Sequence, residues 1–122
     1  MAYPPRRTVF PLPRSAGFRH SFQHAGKALD HGYNVLVFPE GHRSQGELQK
    51  FRPGIGLLIQ ESKASVLPVG LVGLGEMKQR RQRWFRSGKL EVHVGSPMTF
   101  DAERSPEEIT EQLREAIARL IQ

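Results

Sequence analysis

A run of four apolar residues that ends in a dense polar turn constrains this 122-residue chain more than any other feature. Residues 35–38 read VLVF, and short apolar runs with β-branched residues are typical of a strand buried on both faces. Pro39 ends the strand because it has no N–H to donate to a ladder. Five residues with functional side chains or backbone freedom follow: Glu40, Gly41, His42, Arg43 and Ser44. α/β folds build sites at this edge of a sheet, so we predict one here. The alternative is a solvated turn in which Glu40 pairs with Arg43.

The remaining patterns predict an α/β fold with a mixed, partly parallel sheet flanked by helices. Apolar residues at helical spacing predict a helix over residues 16–31, with Gly32 at its C-cap, and a second helix over 53–62. Strands are predicted at 33–38 and 66–72, and the helix between them favours parallel pairing. Pro68 within the second strand implies a bulge or an edge position.

Two further elements are predicted in the C-terminal part of the chain. Residues 89–94 alternate polar and apolar, which predicts a strand with Leu90, Val92 and Val94 toward the core and His93 outward. Ser105, Pro106 and Glu108 are the signature of a capping box, so we expect the last helix to start there.

Length and composition restrict the possible classes of protein. The chain is short enough for one domain, which we place at residues 9–122 after a disordered, basic and proline-rich lead-in at 1–8. The absence of cysteine excludes disulfides and thiolate metal sites. The lack of cysteine is also compatible with the cytoplasmic setting that we expect. No apolar run approaches the ~20 residues that span a bilayer, and no signal peptide is visible.

The net charge of +6 is concentrated in one segment. Residues 78–89 contain six basic residues and no acidic one, which favours a local anionic partner. Because aromatic rings beside Lys and Arg suit the headgroup region of an anionic membrane, we predict membrane contact through part of this segment. The predicted membrane-binding residues are Lys78, Arg80, Arg81, Arg83, Trp84, Phe85 and Arg86. A solvated loop is the alternative, and specific nucleic-acid binding is not expected because no recognised motif accompanies the patch.

The polar turn also carries a family resemblance. The sequence FPEGHRS at 38–44 resembles the FPEGTRS block of the glycerolipid acyltransferases, the family of 1-acylglycerol-3-phosphate acyltransferase. Three neighbouring blocks resemble the family in the same order: VFPLPRS at 9–15, FRPGIGLL at 51–58 and VLPVGLVG at 66–73. The resemblance implies a truncated acyltransferase domain represented by its C-terminal portion.

The same resemblance implies a binding site without its catalytic pair. The family's His-x-x-x-x-Asp motif supplies the general base and the carboxylate that orients it. Here only His42 has an acidic residue five positions later, Glu47, so His42 is a weak candidate and we predict no catalytic residue in the chain. His20 and His24 are four apart, but no third ligand is evident, so no metal and no cofactor are predicted.

The substrate-binding residues that the resemblance implies are Arg14, Glu40, Gly41, Arg43 and Ser44. Arg43 would bind a phosphate bidentately, with Arg14 as a second cation. Glu40 would orient Arg43 or accept a hydrogen bond from a glycerol hydroxyl.

The implied function is transfer of a fatty acyl group from acyl-CoA or acyl-carrier protein to a lysophosphatidate-like glycerophospholipid. The protein would act peripherally, at the inner face of a membrane. Because the base is missing, we expect this chain to be inactive alone and to need an N-terminal segment or a partner chain that carries the catalytic block. The alternative is a non-catalytic module that binds anionic lipid headgroups.

Overall fold

The computed structural model describes residues 18–41, 47–73 and 89–122, with the backbone alone for residues 18–22. The chain divides into two units, Met1–Val37 and Phe38–Gln122. The described helices are α1 (Phe18–Asp30), α2 (Gly54–Ser62) and α3 (Pro106–Leu120), and the described strands are β1 (Val69–Val72) and β2 (Glu91–Val94). The predicted lead-in at 1–8 lies outside the described residues.

Helix α1 forms the described part of the first unit together with the residues that follow it. The predicted helix over 16–31 is confirmed, with bounds Phe18–Asp30. It ends in a Schellman motif, in which the N–H of Tyr33 donates to the carbonyl of Ala28 and that of Gly32 to Leu29. Gly32 has φ +82°, a left-handed conformation that glycine adopts without steric cost, so the predicted C-cap is also confirmed.

The apolar run at 33–38 does not form the buried strand that its composition predicts. These residues are in neither helix nor strand, and Leu36 is 80% exposed. Apolar composition becomes a strand only where a neighbouring strand supplies ladder partners, and the described strands β1 and β2 are paired only with each other. Among the described residues there is no parallel pair with 66–72, and the mixed, partly parallel sheet stays a prediction.

The two strands form an antiparallel pair with a bulge next to Pro68. Val69 lies opposite Val94, and Val66 forms an isolated bridge with Met98. The register between these two pairs is offset by one residue, so β2's side of the ladder contains one residue more than β1's side. The extra residue lies among residues 95–97, opposite Pro68, and not in the strand that contains Pro68, for which a bulge or an edge position was predicted. In the described two-stranded sheet β1 is an edge strand, as the second possibility requires.

The face of β2 that packs against the protein is the opposite of the predicted one. Val92 and Val94 are 57% and 59% exposed, and Leu90 is 47% exposed, whereas His93 is half-buried. The C-terminal end of α3 covers the other face of the sheet, because Gly70 on β1 lets it approach closely. A Cβ at Gly70 would lie 2.7 Å from Cγ2 of Ile121. The alternating pattern identified the strand, but the glycine on its neighbour decided which face is covered.

Helices α2 and α3 cross at Gly56 and enclose the core of the second unit. A Cβ at Gly56 would lie 1.9 Å from the carbonyl oxygen of Pro106, so only glycine permits this approach. The buried core residues are Phe51, Ile59, Ile109 and Leu113. The predicted capping box of α3 is confirmed, because Ser105 Oγ accepts from Glu108 N–H and Glu108 Oε2 accepts from Ser105 N–H.

Candidate functional site

Residues 38–41 form a tight turn at the start of the polar block, residues 40–44, and their residue types favour this turn. The N–H of Gly41 donates to the carbonyl of Phe38 at 3.1 Å, which closes a four-residue turn around Pro39 and Glu40. Proline at the second position fixes the φ that such turns need, and glycine is common at the fourth. Gly41 itself has φ +71°, in the left-handed region that favours glycine. The turn therefore favours the proline at position 39 and the glycine at position 41.

Two hydrogen bonds join this turn to residues 49–52 across the base of a loop. The carbonyl of Pro39 accepts from Arg52 N–H at 2.9 Å, and Glu40 Oε2 accepts from Gln49 N–H at 2.9 Å. Both donors precede α2, whose side chains Ile55 and Ile59 anchor it to the core. These two bonds thus hold residues 39–40 next to residues 49–52 of the second unit.

The side chain of Arg52 lies against the backbone of Gly41. A Cβ at Gly41 would be 2.2 Å from Arg52 Nε and 2.8 Å from its Cδ. The guanidinium occupies the space that a side chain at position 41 would need. The start of the polar block is therefore next to a cation that the sequence analysis did not assign to the site.

Of the predicted substrate-binding residues, the structure describes Glu40 and Gly41, which are adjacent in the turn. Glu40 has a role that the sequence did not indicate, since its carboxylate fixes the backbone at Gln49. The remaining predicted site residues, Arg14, His42, Arg43 and Ser44, lie outside the described residues. The roles assigned to them stay predictions.

A histidine and a carboxylate do meet in the described structure, but on β2. Glu91 Oε2 lies 2.8 Å from His93 Nε2, and His93 Nδ1 lies 2.5 Å from the carbonyl oxygen of Leu120. Both ring nitrogens therefore face acceptors, and the arrangement is fully satisfied only when each nitrogen carries a proton. Accordingly, the pKa of His93 is raised, first by the Leu120 carbonyl and then by Glu91. A general base needs a free nitrogen, so we do not assign His93 that role.

The other histidines of the described segments show no metal site. His31 Nδ1 lies 2.7 Å from the carbonyl oxygen of Lys27, as expected for a polar residue at a helix end. The structure describes the backbone but not the side chain of His20. Within residues 18–41, 47–73 and 89–122, no group of three His, Cys, Asp or Glu residues could hold a metal ion.

The structure describes only the last residue of the basic segment 78–89, which is Lys89. Lys89 is 86% exposed and forms an ion pair with Glu91, with 2.9 Å between Nζ and Oε1. The bond raises the pKa of Lys89 and lowers the pKa of Glu91. The predicted membrane-binding residues 78–86 lie outside the described residues. Among the helices that the structure describes, none is long and apolar enough to cross a membrane.

Comparison with known proteins identifies the family. A family model described as Acyltransferase matches residues 7–72, which is more than half of the chain. The chain therefore belongs to this family, as its resemblance to the glycerolipid acyltransferases predicted. The family supports a general role as an acyltransferase. No curated protein and no solved structure matches the chain.

The matched region includes the turn at 38–41, the Arg52 contact and all of β1. Arg52 lies in one of the four blocks that carry the resemblance, yet the sequence gave no reason to place it beside Gly41. The sequence feature that could have indicated this contact is the position of Arg52 next to Phe51. Phe51 is a core residue, and its burial fixes the position of its neighbour.

Proposed function

We propose that this chain is an acyltransferase domain acting on glycerolipids. It transfers a fatty acyl group from acyl-CoA or acyl-carrier protein to the hydroxyl of a lysophosphatidate-like acceptor, peripherally at the inner face of a membrane. The observation that carries the proposal is the family match over residues 7–72, which includes the turn held by Glu40 and Arg52. The acceptor's phosphate is the group that this part of the chain is suited to recognise.

The chemistry divides into binding and proton transfer. The acceptor hydroxyl attacks the thioester carbonyl, an ester C–O bond forms, the C–S bond breaks, and the hydroxyl proton passes through a base to the leaving thiolate. Arg43 and Arg14 hold the acceptor phosphate in this proposal, because a guanidinium binds phosphate bidentately. Glu40 fixes the turn that precedes Arg43 in the sequence by accepting from Gln49 N–H.

The base and its orienting carboxylate come from outside this chain, either from a preceding segment or from a partner chain. The histidine–carboxylate pair on β2 supports this assignment, because both nitrogens of His93 are already engaged. In this proposal the chain alone binds the acceptor but does not catalyse acyl transfer.

The direct test is an acyl-transfer assay on the chain alone, with acyl-CoA and lysophosphatidate in anionic vesicles. We expect no turnover above the buffer rate. Turnover that is abolished by His42→Ala would show that the base is present in this chain and would overturn the predicted inactivity.

A binding assay tests the acceptor site independently of turnover. Arg43→Ala should weaken the binding of glycerol 3-phosphate by about tenfold, because one charge-assisted bidentate contact is lost. Arg114→Ala is the matched control, since Arg114 makes only a 3.7 Å surface ion pair with Glu111. Equal affinities of the two variants would contradict the role of Arg43.

Membrane contact through residues 78–86 has its own test. Trp84 is the only tryptophan of the chain, so its emission reports on this segment directly. We expect a blue shift with anionic vesicles that salt reverses, and no shift with neutral ones. The same result is expected for a non-catalytic headgroup-binding module, and restoration of turnover by a supplied catalytic segment separates the two functions.

A further inference from the structure

The face of the sheet that points away from α3 is aliphatic along both described strands. Gly70 and His93 lie on the face that meets the end of α3. Because successive side chains of a strand point to opposite faces, their neighbours point away from the helix. Those neighbours are opposite each other across the ladder, in the pairs Val69–Val94 and Leu71–Val92.

Two leucines extend these rows beyond the strand ends. Val66 packs against the core, so the next residue, Leu67, points the other way, and Leu90 continues the row of β2. We call the resulting set the aliphatic face: Leu67, Val69, Leu71, Leu90, Val92 and Val94. Val69 is half-buried, and the exposed fractions of the other five range from 42% to 59%.

The composition and size of the aliphatic face indicate that a partner covers it. Antiparallel sheets with one solvated face normally alternate, with polar residues toward water. The six residues instead expose roughly 400–500 Å² of surface, and a contiguous apolar patch of that size on a monomer is often functional.

A second copy of this chain fits the aliphatic face better than a lipid surface does. Lipid-binding surfaces combine aromatic rings with basic residues. Residues 66–73 and 89–98 contain no Trp, Tyr or Phe, and their only Lys or Arg is Lys89, which is paired with Glu91. A face without charges can pack on its own copy, because no like charges meet across a two-fold axis.

The area is also sufficient for a contact between two copies. Sheets pack face to face at ~10 Å with their side chains interdigitated. Two aliphatic faces would bury roughly 900 Å² in total, and neighbouring residues at the rim bring the contact to the ~1,000 Å² at which specific interfaces begin.

We propose that the aliphatic face is a self-association surface through which two copies of this chain form a weak, two-fold symmetric dimer. The inference is independent of the proposed function. Interfaces at the lower end of the size range are weak, so we expect a dissociation constant of roughly 10–100 μM. At a concentration of about 2 μM the chain is then mainly monomeric, with the aliphatic face in water.

Sedimentation velocity of the full chain from about 2 to about 500 μM tests the dimer, and the average mass should rise from one chain toward two. Val92→Lys brings an unpaired charge from each copy into the contact, so it should raise the dissociation constant by about tenfold or more. Leu71→Lys, opposite Val92 on β1, should act in the same way. Leu36→Lys is the matched control, because Leu36 is 80% exposed, lies outside both strands and gains the same charge; we expect a change of less than about twofold.

Three results would overturn the inference. They are a mass that stays at one chain over the whole range, a mass that rises beyond two chains, and equal effects of Val92→Lys and Leu36→Lys. A chain that stays monomeric but binds anionic vesicles, with a loss of binding in Val92→Lys alone, would place the aliphatic face on lipid instead.

The urea midpoint at about 2 μM controls for folding, and Val92→Lys should not change it because the side chain is mostly in water in the monomer. If Val92→Lys lowers the midpoint, Val92→Thr decides the question. Threonine has nearly the shape of valine and would bury one hydroxyl in the dimer, so it should raise the dissociation constant by about threefold or more at an unchanged midpoint. An unchanged dissociation constant for Val92→Thr would then overturn the inference.

Discussion

His93 on β2 connects the strand to the end of α3 through both of its ring nitrogens. Nε2 lies 2.8 Å from Glu91 Oε2, and Nδ1 lies 2.5 Å from the carbonyl oxygen of Leu120, the last residue of α3. A protonated imidazole donates to both acceptors, and its charge is also favourable at a helix C-terminus. When it is protonated, the ring is therefore a charged connection between the sheet and the helix that covers it.

This connection should make the stability of the protein depend on pH. The pKa of His93 is raised above its ordinary value of 6.5, so protonation contributes fully below about pH 6.5, and the contribution is lost as the pH rises through the folded-state pKa. The pKa of Glu91 is lowered from 4.5, so its contribution is present above about pH 4.5 and is lost as the pH falls through its folded-state value. We expect His93→Gln to destabilise the protein more at about pH 5.5 than at about pH 8.5.

Urea unfolding at the two pH values measures this difference. Glu91→Gln is the matched control, because it removes the negative partner and should reduce the pH dependence without removing the ring. A deficit for His93→Gln that is the same at both pH values would show that folding does not raise the pKa of this imidazole.

Replacement of Gly56 in α2 should destabilise the protein. Gly56→Ala would place a Cβ 1.9 Å from the carbonyl oxygen of Pro106 and 2.4 Å from Thr110 Oγ1, so the two helices must separate. We expect a net loss of about 1–3 kcal/mol in the free energy of unfolding, because overpacking outweighs the ~1 kcal/mol gained in helix propensity. Thermal or urea unfolding measures the change.

Gly26 in α1 offers the control for that substitution. A Cβ there meets nothing within 4 Å, so Gly26→Ala should leave stability unchanged or raise it by up to about 1 kcal/mol. Similar losses for the two variants would contradict the close crossing at Gly56.

The elements that the sequence predicted well are those with local causes. The capping box at Ser105 and Glu108 and the glycine after α1 act within one turn of a helix, so their residue types are sufficient evidence. The irregular pairing opposite Pro68 also has a local cause, because a missing N–H interrupts any ladder.

The features that the sequence did not predict depend on distant residues. The covered face of β2 is set by Gly70 and the end of α3, and Arg52 reaches the site because residues 47–52 return to the turn at 38–41. The alternation of polar and apolar residues along one strand does not indicate that α3 approaches Gly70 or that Arg52 approaches the turn at 38–41. Residues 33–38 show the same limit, since an apolar run needs partners in space to become a strand.

The burial of Ile109 on α3 and the exposure of Val92 on β2 lead to opposite expectations for these two apolar residues. Ile109 is fully buried, so Ile109→Ala should lower the free energy of unfolding by about 2–5 kcal/mol. Val92 is 57% exposed, so Val92→Thr should change it by no more than about 0.5 kcal/mol. Urea unfolding of both variants under one condition tests this, and a large loss for Val92→Thr would mean that this face is covered in solution.

The Glu40 carboxylate should control the order of the loop that precedes α2. Glu40→Ala removes the acceptor for Gln49 N–H, so hydrogen exchange of that amide should accelerate by about tenfold or more, as expected for the loss of a charged hydrogen bond. Glu40→Gln retains an acceptor oxygen and should accelerate it less. Glu47→Ala is the matched control, because Glu47 is an exposed acid of the same loop. Unchanged exchange at Gln49 in Glu40→Ala would mean that the loop is held by the bond between Pro39 and Arg52 alone, and Glu40 would then be available to contact substrate, as the sequence predicted.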